Sequence, residues 1–247
     1  MGRYIIVALL ALAMAVGCKI EDGTKSQVDG GKRVLWTATY AKVYNCYCYS
    51  HYAIFAEALL ADNQELAAAA NVVLEFEDRL KVKIEPDRVV LTKELSAYDK
   101  QIYTITTNGK KLSEGGIWTI HSKHSTNGNG QDTLLATIIG TQGREGVFGC
   151  RCQSDSGYIN SDITYTYSAE QGIVATMNFV GEVVDEGSKL TFTTQPQMPF
   201  VIANKILKSG AVDIAFEDIE RATNRSFTTV VVKAGDLYDH TNIVVYK

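Results

Sequence analysis

The stretch "QIYTITTNGKKLSEGGIWTI", residues 101–120, decides the fold class. Two runs that alternate polar with apolar residues flank the pair Asn108-Gly109, which is a strong signal for a hairpin between antiparallel strands. The distance from this pair to Gly115 allows a connection longer than two residues. The stretch therefore predicts two neighbouring antiparallel strands joined by a glycine-containing loop.

Segments of the same kind recur along the chain. They are rich in β-branched and aromatic residues, and turn residues separate them. They begin with "RVLWTATYAKVY" (33–44), continue through "RVVLT", "TLLATIIG", "DITYTYS", "GIVATMNFVGEVV" and "KLTFTT", and end with "NIVVYK" (242–247). We therefore predict a mainly β protein, an antiparallel β-sandwich or a barrel-like fold, with one helical segment near 51–71.

The predicted helical segment, Ala53 to Asn71, is loaded with Ala, Leu and Glu. It is predicted either as one helix or as two short helices, with Asp62 as an internal cap and Glu65 three residues further on. A second helix is predicted over "IANKILKSG", residues 202–210. The rest of the chain is expected to form strands and turns.

The N-terminus carries a single positive charge at Arg3 and then an apolar run of 12 residues from Ile5 to Val16. A membrane-spanning helix needs about 20 apolar residues, so this run is too short to span. A short charged start, an apolar stretch and small residues at its end are typical of a secretory signal. Ala15 and Gly17 are those small residues, and they lead into Cys18.

The sequence "AVGC", residues 15–18, resembles the lipobox of bacterial lipoproteins, although Ala15 stands where that pattern prefers leucine. The resemblance implies that Cys18 is lipidated and becomes the first residue of the mature chain. Several acyl chains on one cysteine give a lasting membrane anchor. The membrane is thus an expected partner through this anchor.

The residues after the anchor, Lys19, Glu21 and Asp22, resemble the surface-export signal of lipoproteins in the Bacteroidetes group. This resemblance implies a lipid-anchored protein of the outer membrane, on the cell surface or on the periplasmic face. The expected organisation is a signal peptide over 1–17, a flexible tether over 18–32 and a single mainly β domain over 33–247.

The composition excludes one class of partner. The chain has 24 Lys and Arg residues against 28 Asp and Glu residues, a net charge of −4, and no basic cluster. A nucleic-acid partner is therefore not expected. With 46% hydrophobic residues, 247 residues are enough to build a substantial core.

Two C-x-C pairs, Cys46 with Cys48 and Cys150 with Cys152, lie about a hundred residues apart. Both segments are predicted as strands, on which residues two apart share a face, so a bond within one pair is disfavoured. In an exported protein we expect disulfides between the segments, and antiparallel pairing would join Cys46 to Cys152 and Cys48 to Cys150. Reduced buried thiols, and a metal or redox site, are the alternatives.

Aromatic and histidine residues supply the remaining candidates for binding. Trp36 and Tyr40, on one predicted strand face, and Trp118 are candidates for an exposed patch that stacks on sugars or anchors a partner, against core packing. His121 and His124 in "HSKH" are weak candidates for metal ligands, against a solvated loop. No metal or other cofactor is expected.

No nucleophile elbow, zinc-protease helix or P-loop is present in the sequence, and no catalytic residues are predicted. The favoured function is a non-catalytic binding or structural role in the cell envelope, with a glycan or an envelope protein as partner. The alternatives are an envelope hydrolase acting on polysaccharide or peptide, and a subunit of a surface assembly.

Overall fold

The computed structural model describes residues 30–74, 80–126, 129–154, 156–168, 170, 172–185, 188–204, 206–218, 223–232 and 243–246. The predicted signal peptide, Cys18 and most of the predicted tether lie outside the described residues. The last three residues of the predicted tether, 30–32, begin a helix.

The described part of the chain is mainly β and antiparallel, as predicted. The strands are β1 Leu80–Glu85, β2 Arg88–Glu94, β3 Asp99–Thr107, β4 Ile117–Thr126, β5 Asp132–Gly140, β6 Val147–Ser154, β7 Gly157–Ser168, β8 Gly172–Asp185, β9 Ser188–Thr194, β10 Phe200–Ala203, β11 Ile206–Asp218, β12 Thr223–Val232 and β13 Ile243–Tyr246. All of them join one sheet.

The sheet is a meander in which neighbours along the chain pair with each other, except β9 and β10. From β1 to β8 the strand order follows the sequence order. Strands β9 and β10 lie end to end between β8 and β11, because β9 pairs with the last residues of β8 and β10 pairs with Val174 to Met177. Hairpin connections of this kind keep sequence neighbours together in space.

Two helices pack against the sheet. Helix α1 covers Gly30–Leu60 and contacts strands β3 to β8, while helix α2 covers Gln64–Leu74 and packs on α1, β7 and β8. From Cys46 to Ala56 every residue of α1 except Tyr49 is buried. A helix buried on all sides must be enclosed, so the sheet and α2 surround this part of α1.

The core lies between α1 and the inward face of the sheet. Strand β7 shows the alternation most clearly, with Ile159, Ser161, Ile163 and Tyr165 buried and the residues between them more exposed. The largest side chains that are fully buried come from both layers: Trp118, Tyr47, Tyr52, Phe148, Phe192 and Phe200. The sheet therefore buries one face on the helix and leaves the other to solvent.

Three local predictions were wrong or incomplete. The segment 33–44, predicted as a strand, is helical, and "IANKILKSG" forms β10 and the start of β11 instead of a helix. The helical segment near 51–71 is present and divided in two, but α1 begins at Gly30. Asn63, not Asp62, caps α2, because its Oδ1 accepts the Leu66 N–H at 3.0 Å.

The hairpin prediction at Asn108 is confirmed, with the longer connection. Strand β3 ends at Thr107 and β4 begins at Ile117, and a short 3₁₀ helix, Leu112–Glu114, lies between them. The Asn108 side chain accepts the Lys110 and Ile117 N–H groups. Gly109 has a φ of 86°, which favours glycine.

Candidate functional site: a buried thiol cluster

Strand β6 directs two thiols toward the helix. Cys150 and Cys152 are two residues apart and buried, and Arg151 between them is exposed, so both sulfurs lie on the inward face. In the register of the sheet Cys150 lies opposite Ser161 of β7, which is also buried. Strands β6 and β7 thus place two thiols and a hydroxyl on one patch of the core.

Helix α1 supplies the third thiol. Residues two apart on a helix point about 200° away from each other, so Cys46 and Cys48 occupy different faces. Cys46 is completely buried and faces β6 and β7, while Cys48 lies outside the cluster although it is also buried. The sulfurs of Cys46, Cys150 and Cys152 all lie within 4.8 Å of one another. We call these three residues the thiol cluster.

Hydrogen bonds connect the members of the thiol cluster. The sulfurs of Cys150 and Cys152 are 3.3 Å apart, and Cys46 Sγ lies 3.3 Å from Ser161 Oγ. The thiol of Cys150 also donates to the Cys46 carbonyl oxygen at 3.8 Å. These contacts couple the helix to the sheet through polar groups in an otherwise apolar core.

The thiol cluster favours one negative charge, on Cys46. Burial raises the pKa of the Cys46 thiol, but hydrogen bonds from Cys150, Cys152 and Ser161 and the positive charge of Arg151 outweigh burial and leave the pKa well below its ordinary value. Burial and the contacts with the other two cysteines raise the pKa of Cys150. Two thiols and a hydroxyl therefore surround the Cys46 sulfur and favour its ionised form over that of Cys150.

Two cationic side chains adjoin the cluster. Arg151 Nη1 donates to the carbonyl oxygens of Cys150 and Ser161, at 3.3 and 3.1 Å. Lys42, one helical turn before Cys46, donates from Nζ to Ser154 Oγ at 2.7 Å and to Ser156 Oγ at 3.2 Å. Burial lowers the pKa of Lys42, and the nearby Cys152 opposes that shift.

The predicted disulfides are not formed. Cys46, Cys48, Cys150 and Cys152 are all reduced thiols, and the 3.3 Å separation within the second C-x-C pair is far longer than an S–S bond of about 2.05 Å. The pairing of Cys46 with Cys152 and Cys48 with Cys150 was wrong because the first segment is a helix, which turns Cys48 away.

Trp118 is not part of an exposed aromatic patch, which is a correction of the prediction. Trp118 is 2% exposed and its Nε1 donates to the Lys110 carbonyl oxygen at 3.2 Å, so it belongs to the core. Trp36 and Tyr40 lie on α1, not on a strand, and their side chains lie outside the described part of the structure. A four-residue spacing places both on one helix face.

His121 and His124 belong to separate pairs. His121 Nδ1 lies 3.0 Å from Asp132 Oδ2, and His124 Nε2 lies 2.6 Å from Asp99 Oδ1. Both imidazoles are partly or largely exposed on β4. They do not converge on a common point, since residues three apart on a strand point to opposite faces.

The half-buried carboxylate of Glu57 has a structural role. Burial raises the pKa of Glu57, on α1, and its Oε2 accepts the N–H of Leu112 at the start of the 3₁₀ helix. This contact ties α1 to the β3–β4 connection. Glu57 therefore orients a loop and does not resemble one half of an acid and base pair across a cleft.

Sequence reasoning missed Ser161 and Lys42. A signal for Ser161 is present, since it is the one serine among the inward positions of "GYINSDITYTYS". Lys42 precedes Cys46 by four residues, which matters only once the segment is known to be helical. Both residues lie beside the thiol cluster only because α1 packs on the sheet.

Comparison with protein-family models, with curated protein sequences and with solved structures gave no match. Among the helices that the structure describes, none combines the length and the apolar character needed to span a bilayer.

Proposed function

We propose that this chain is a non-catalytic protein of the bacterial cell envelope, attached to the outer membrane through lipid on Cys18, with a binding or structural role. One observation carries the proposal: the apolar run from Ile5 to Val16 ends in small residues directly before Cys18. This arrangement is typical of secretory signals and resembles that of lipoproteins. A diacylated or triacylated cysteine would hold the mature chain at the membrane.

The fold favours recognition at the outer surface over recognition in an internal pocket. The inward face of strands β3 to β8 is covered by α1. The outward positions of β7 and β8 carry amide, carboxyl and hydroxyl groups beside an exposed ring, among them Tyr158, Asn160, Asp162 and Asn178. Polar groups beside an aromatic ring suit a glycan or a polar protein partner.

Lipid attachment is tested by growing cells that express the full chain with an alkyne-bearing fatty acid and measuring its incorporation. The wild-type chain should be labelled and Cys18→Ser should not. Ala15→Leu, which restores the preferred residue of the lipobox, is the matched control and should keep or increase labelling. An unlabelled wild-type chain would overturn the anchor.

Recognition through the outer face is tested on a glycan array and against isolated cell envelopes. Tyr158→Ala should weaken binding without lowering the melting temperature, because the Tyr158 side chain is 37% exposed. Thr166→Ala on the same outward face, further along β7, serves as the control. Equal binding by wild type, Tyr158→Ala and Thr166→Ala would show that Tyr158 does not take part in binding.

Assembly with other subunits is a second candidate, and the edge of the sheet favours it. Strand β1 pairs with β2 alone among the described strands, and Val82 and Ile84 on it are 44% and 54% exposed. Exposed apolar residues on an edge strand allow strand addition by another chain. Replacing both by Lys should leave the chain monomeric in analytical ultracentrifugation if wild type associates through this edge.

A further inference from the structure

The thiol cluster has the arrangement of a cation site. Two sulfurs bound to one ion at about 2.3 Å lie about 3.8 Å apart in a tetrahedral site and about 4.0 Å apart in a trigonal one. The sulfurs of the cluster all lie within 4.8 Å of one another, and those of Cys150 and Cys152 are 3.3 Å apart. Small side-chain rotations therefore bring three sulfurs onto one ion.

We propose that Cys46, Cys150 and Cys152 bind one thiophilic d10 cation, Zn²⁺ or Cu⁺, between helix α1 and strand β6. Three thiolates select soft or borderline cations over Mg²⁺ and Ca²⁺, which prefer oxygen ligands. Three sulfurs complete a trigonal Cu⁺ site, and Ser161 Oγ, 3.3 Å from Cys46 Sγ, is placed to complete a tetrahedral Zn²⁺ site.

The scaffold holds the ligands before an ion arrives. Cys150 and Cys152 lie on a strand that is paired on both sides, with β5 and β7, and Cys46 lies on a helix that is buried all round. Binding thus requires little ordering of the chain, which favours high affinity. It also crosslinks the helix to the sheet, so the ion should raise the free energy of unfolding.

The charges around the cluster suit three thiolates that surround a cation. A site of three thiolates has a net charge of −1 with Zn²⁺ and −2 with Cu⁺. Arg151 and Lys42 place two positive charges next to it, which reduces the cost of burying the negative site. Each of the three thiols releases its proton when its sulfur binds the cation.

The surface offers a point of entry for the ion. Cys152 is the most exposed thiol of the cluster at 8%, and it lies two residues before Ser154, which the Lys42 ammonium contacts. Movement of the flexible Lys42 side chain would uncover Cys152 without disturbing the backbone. This inference does not depend on the lipid anchor, and its failure would leave the proposed envelope role unaffected.

The test uses the full chain with Cys18→Ser, so that the four described cysteines are the only thiols. Under anaerobic conditions the protein competes for Zn²⁺ with a chromophoric zinc chelator, and for Cu⁺ with a chromophoric copper(I) chelator. We expect one ion per chain for at least one of the two cations, with thiolate-to-metal absorption for Cu⁺. Which titration succeeds identifies the ion.

Matched variants show which thiols bind. Cys46→Ser and Cys150→Ser should each weaken binding by more than about 100-fold, since loss of an indirect partner alone costs 10- to 100-fold. Cys48→Ser, a buried thiol outside the cluster, should bind as the parent does. Circular dichroism and the melting temperature without metal establish that each variant is folded.

Three outcomes would overturn the proposal. They are no binding of either ion by the folded parent chain, an equal loss of binding in Cys48→Ser, and the presence of a Cys150–Cys152 disulfide in the parent chain as purified, which would exclude the ion. If Cys46→Ser does not fold, Cys152→Ala replaces it, and a rise of the parent chain's melting temperature with metal gives an independent result.

Discussion

Cys46 and Cys48 show how much a single residue's surroundings depend on local geometry. They are chemically identical, two positions apart and both buried, but helical geometry turns them about 200° from each other. Cys46 meets two thiols and a hydroxyl, and Cys48 lies outside that group. A strand over the same residues would have placed both on one face.

Trp118 is a core residue, so its removal should destabilise the fold. Trp118→Ala removes a side chain that is 2% exposed and leaves a cavity, and we expect a loss of about 3–5 kcal/mol of unfolding free energy in a urea titration. Trp118→Phe should cost less because it keeps most of the volume. An unchanged urea midpoint together with lost ligand binding would mean that the side chain is exposed.

Tyr165 should make the stability pH-dependent in the alkaline range. Burial, with the negative charges of Glu57 and Glu145, raises its pKa to about 12, from an ordinary value of about 10. Because the pKa of Tyr165 is raised in the folded chain, the stabilisation that the un-ionised side chain contributes is complete below pH 10. This stabilisation is lost as the pH rises toward 12. After allowance for solvent screening, the loss is about 1–2 kcal/mol.

Comparison with Tyr165→Phe isolates this effect from other groups that titrate in the same range. The difference in unfolding free energy between the two chains, measured by urea titration at several pH values, should change between pH 10 and pH 12 and stay constant below pH 9.5. A constant difference across the whole range would show that Tyr165 ionises equally in the folded and unfolded chains.

At the scale of elements, the break between the two helices has a specific cause. Asp62 has a φ of 53° and ends the helical path, and Asn63 then caps α2 through its side chain. Asn63→Ala should lower the free energy of unfolding by about 1 kcal/mol, whereas Asn63→Ser, another good cap, should have a small effect. Equal losses for both variants would argue against capping.

The helices also show which elements a sequence predicts well. The Ala-rich segment near 51–71 was predicted as helix because its own residues favour helix. The segment 33–44 has β-branched and aromatic residues that favour strands, and it is helical. From Cys46 to Ala56 the helix is buried against the sheet, and this tertiary burial stabilises it; local sequence patterns carry no information on that burial.

At the scale of the whole molecule, the sheet was predictable and the thiol cluster was not. Alternating segments with short turns favour an antiparallel meander, because each hairpin pairs neighbours along the chain. The cluster joins Cys46 to residues more than a hundred positions away through a helix–sheet contact. The two C-x-C pairs contain all three cysteines of the thiol cluster. Which of the four cysteines meet depends on how α1 packs on the sheet.

The thiol cluster also gives the molecule a connection between its layers that an apolar core alone lacks. Most contacts between α1 and the sheet are apolar and tolerate small shifts. An ion held by one helix residue and two strand residues would fix the helix in one position along the sheet. We infer that the metal-bound chain is the more rigid form at the helix–sheet contact.

The most direct measurement is the intact mass of the full chain, purified anaerobically so that metals are retained. The central claim predicts that the native mass exceeds the denatured mass by one Zn²⁺ or Cu⁺ ion, with proton loss allowed for. It also predicts that, with Cys18→Ser, the denatured chain takes four alkyl labels without any reductant. A chain that takes those labels only after reduction would contain disulfides and contradict the account.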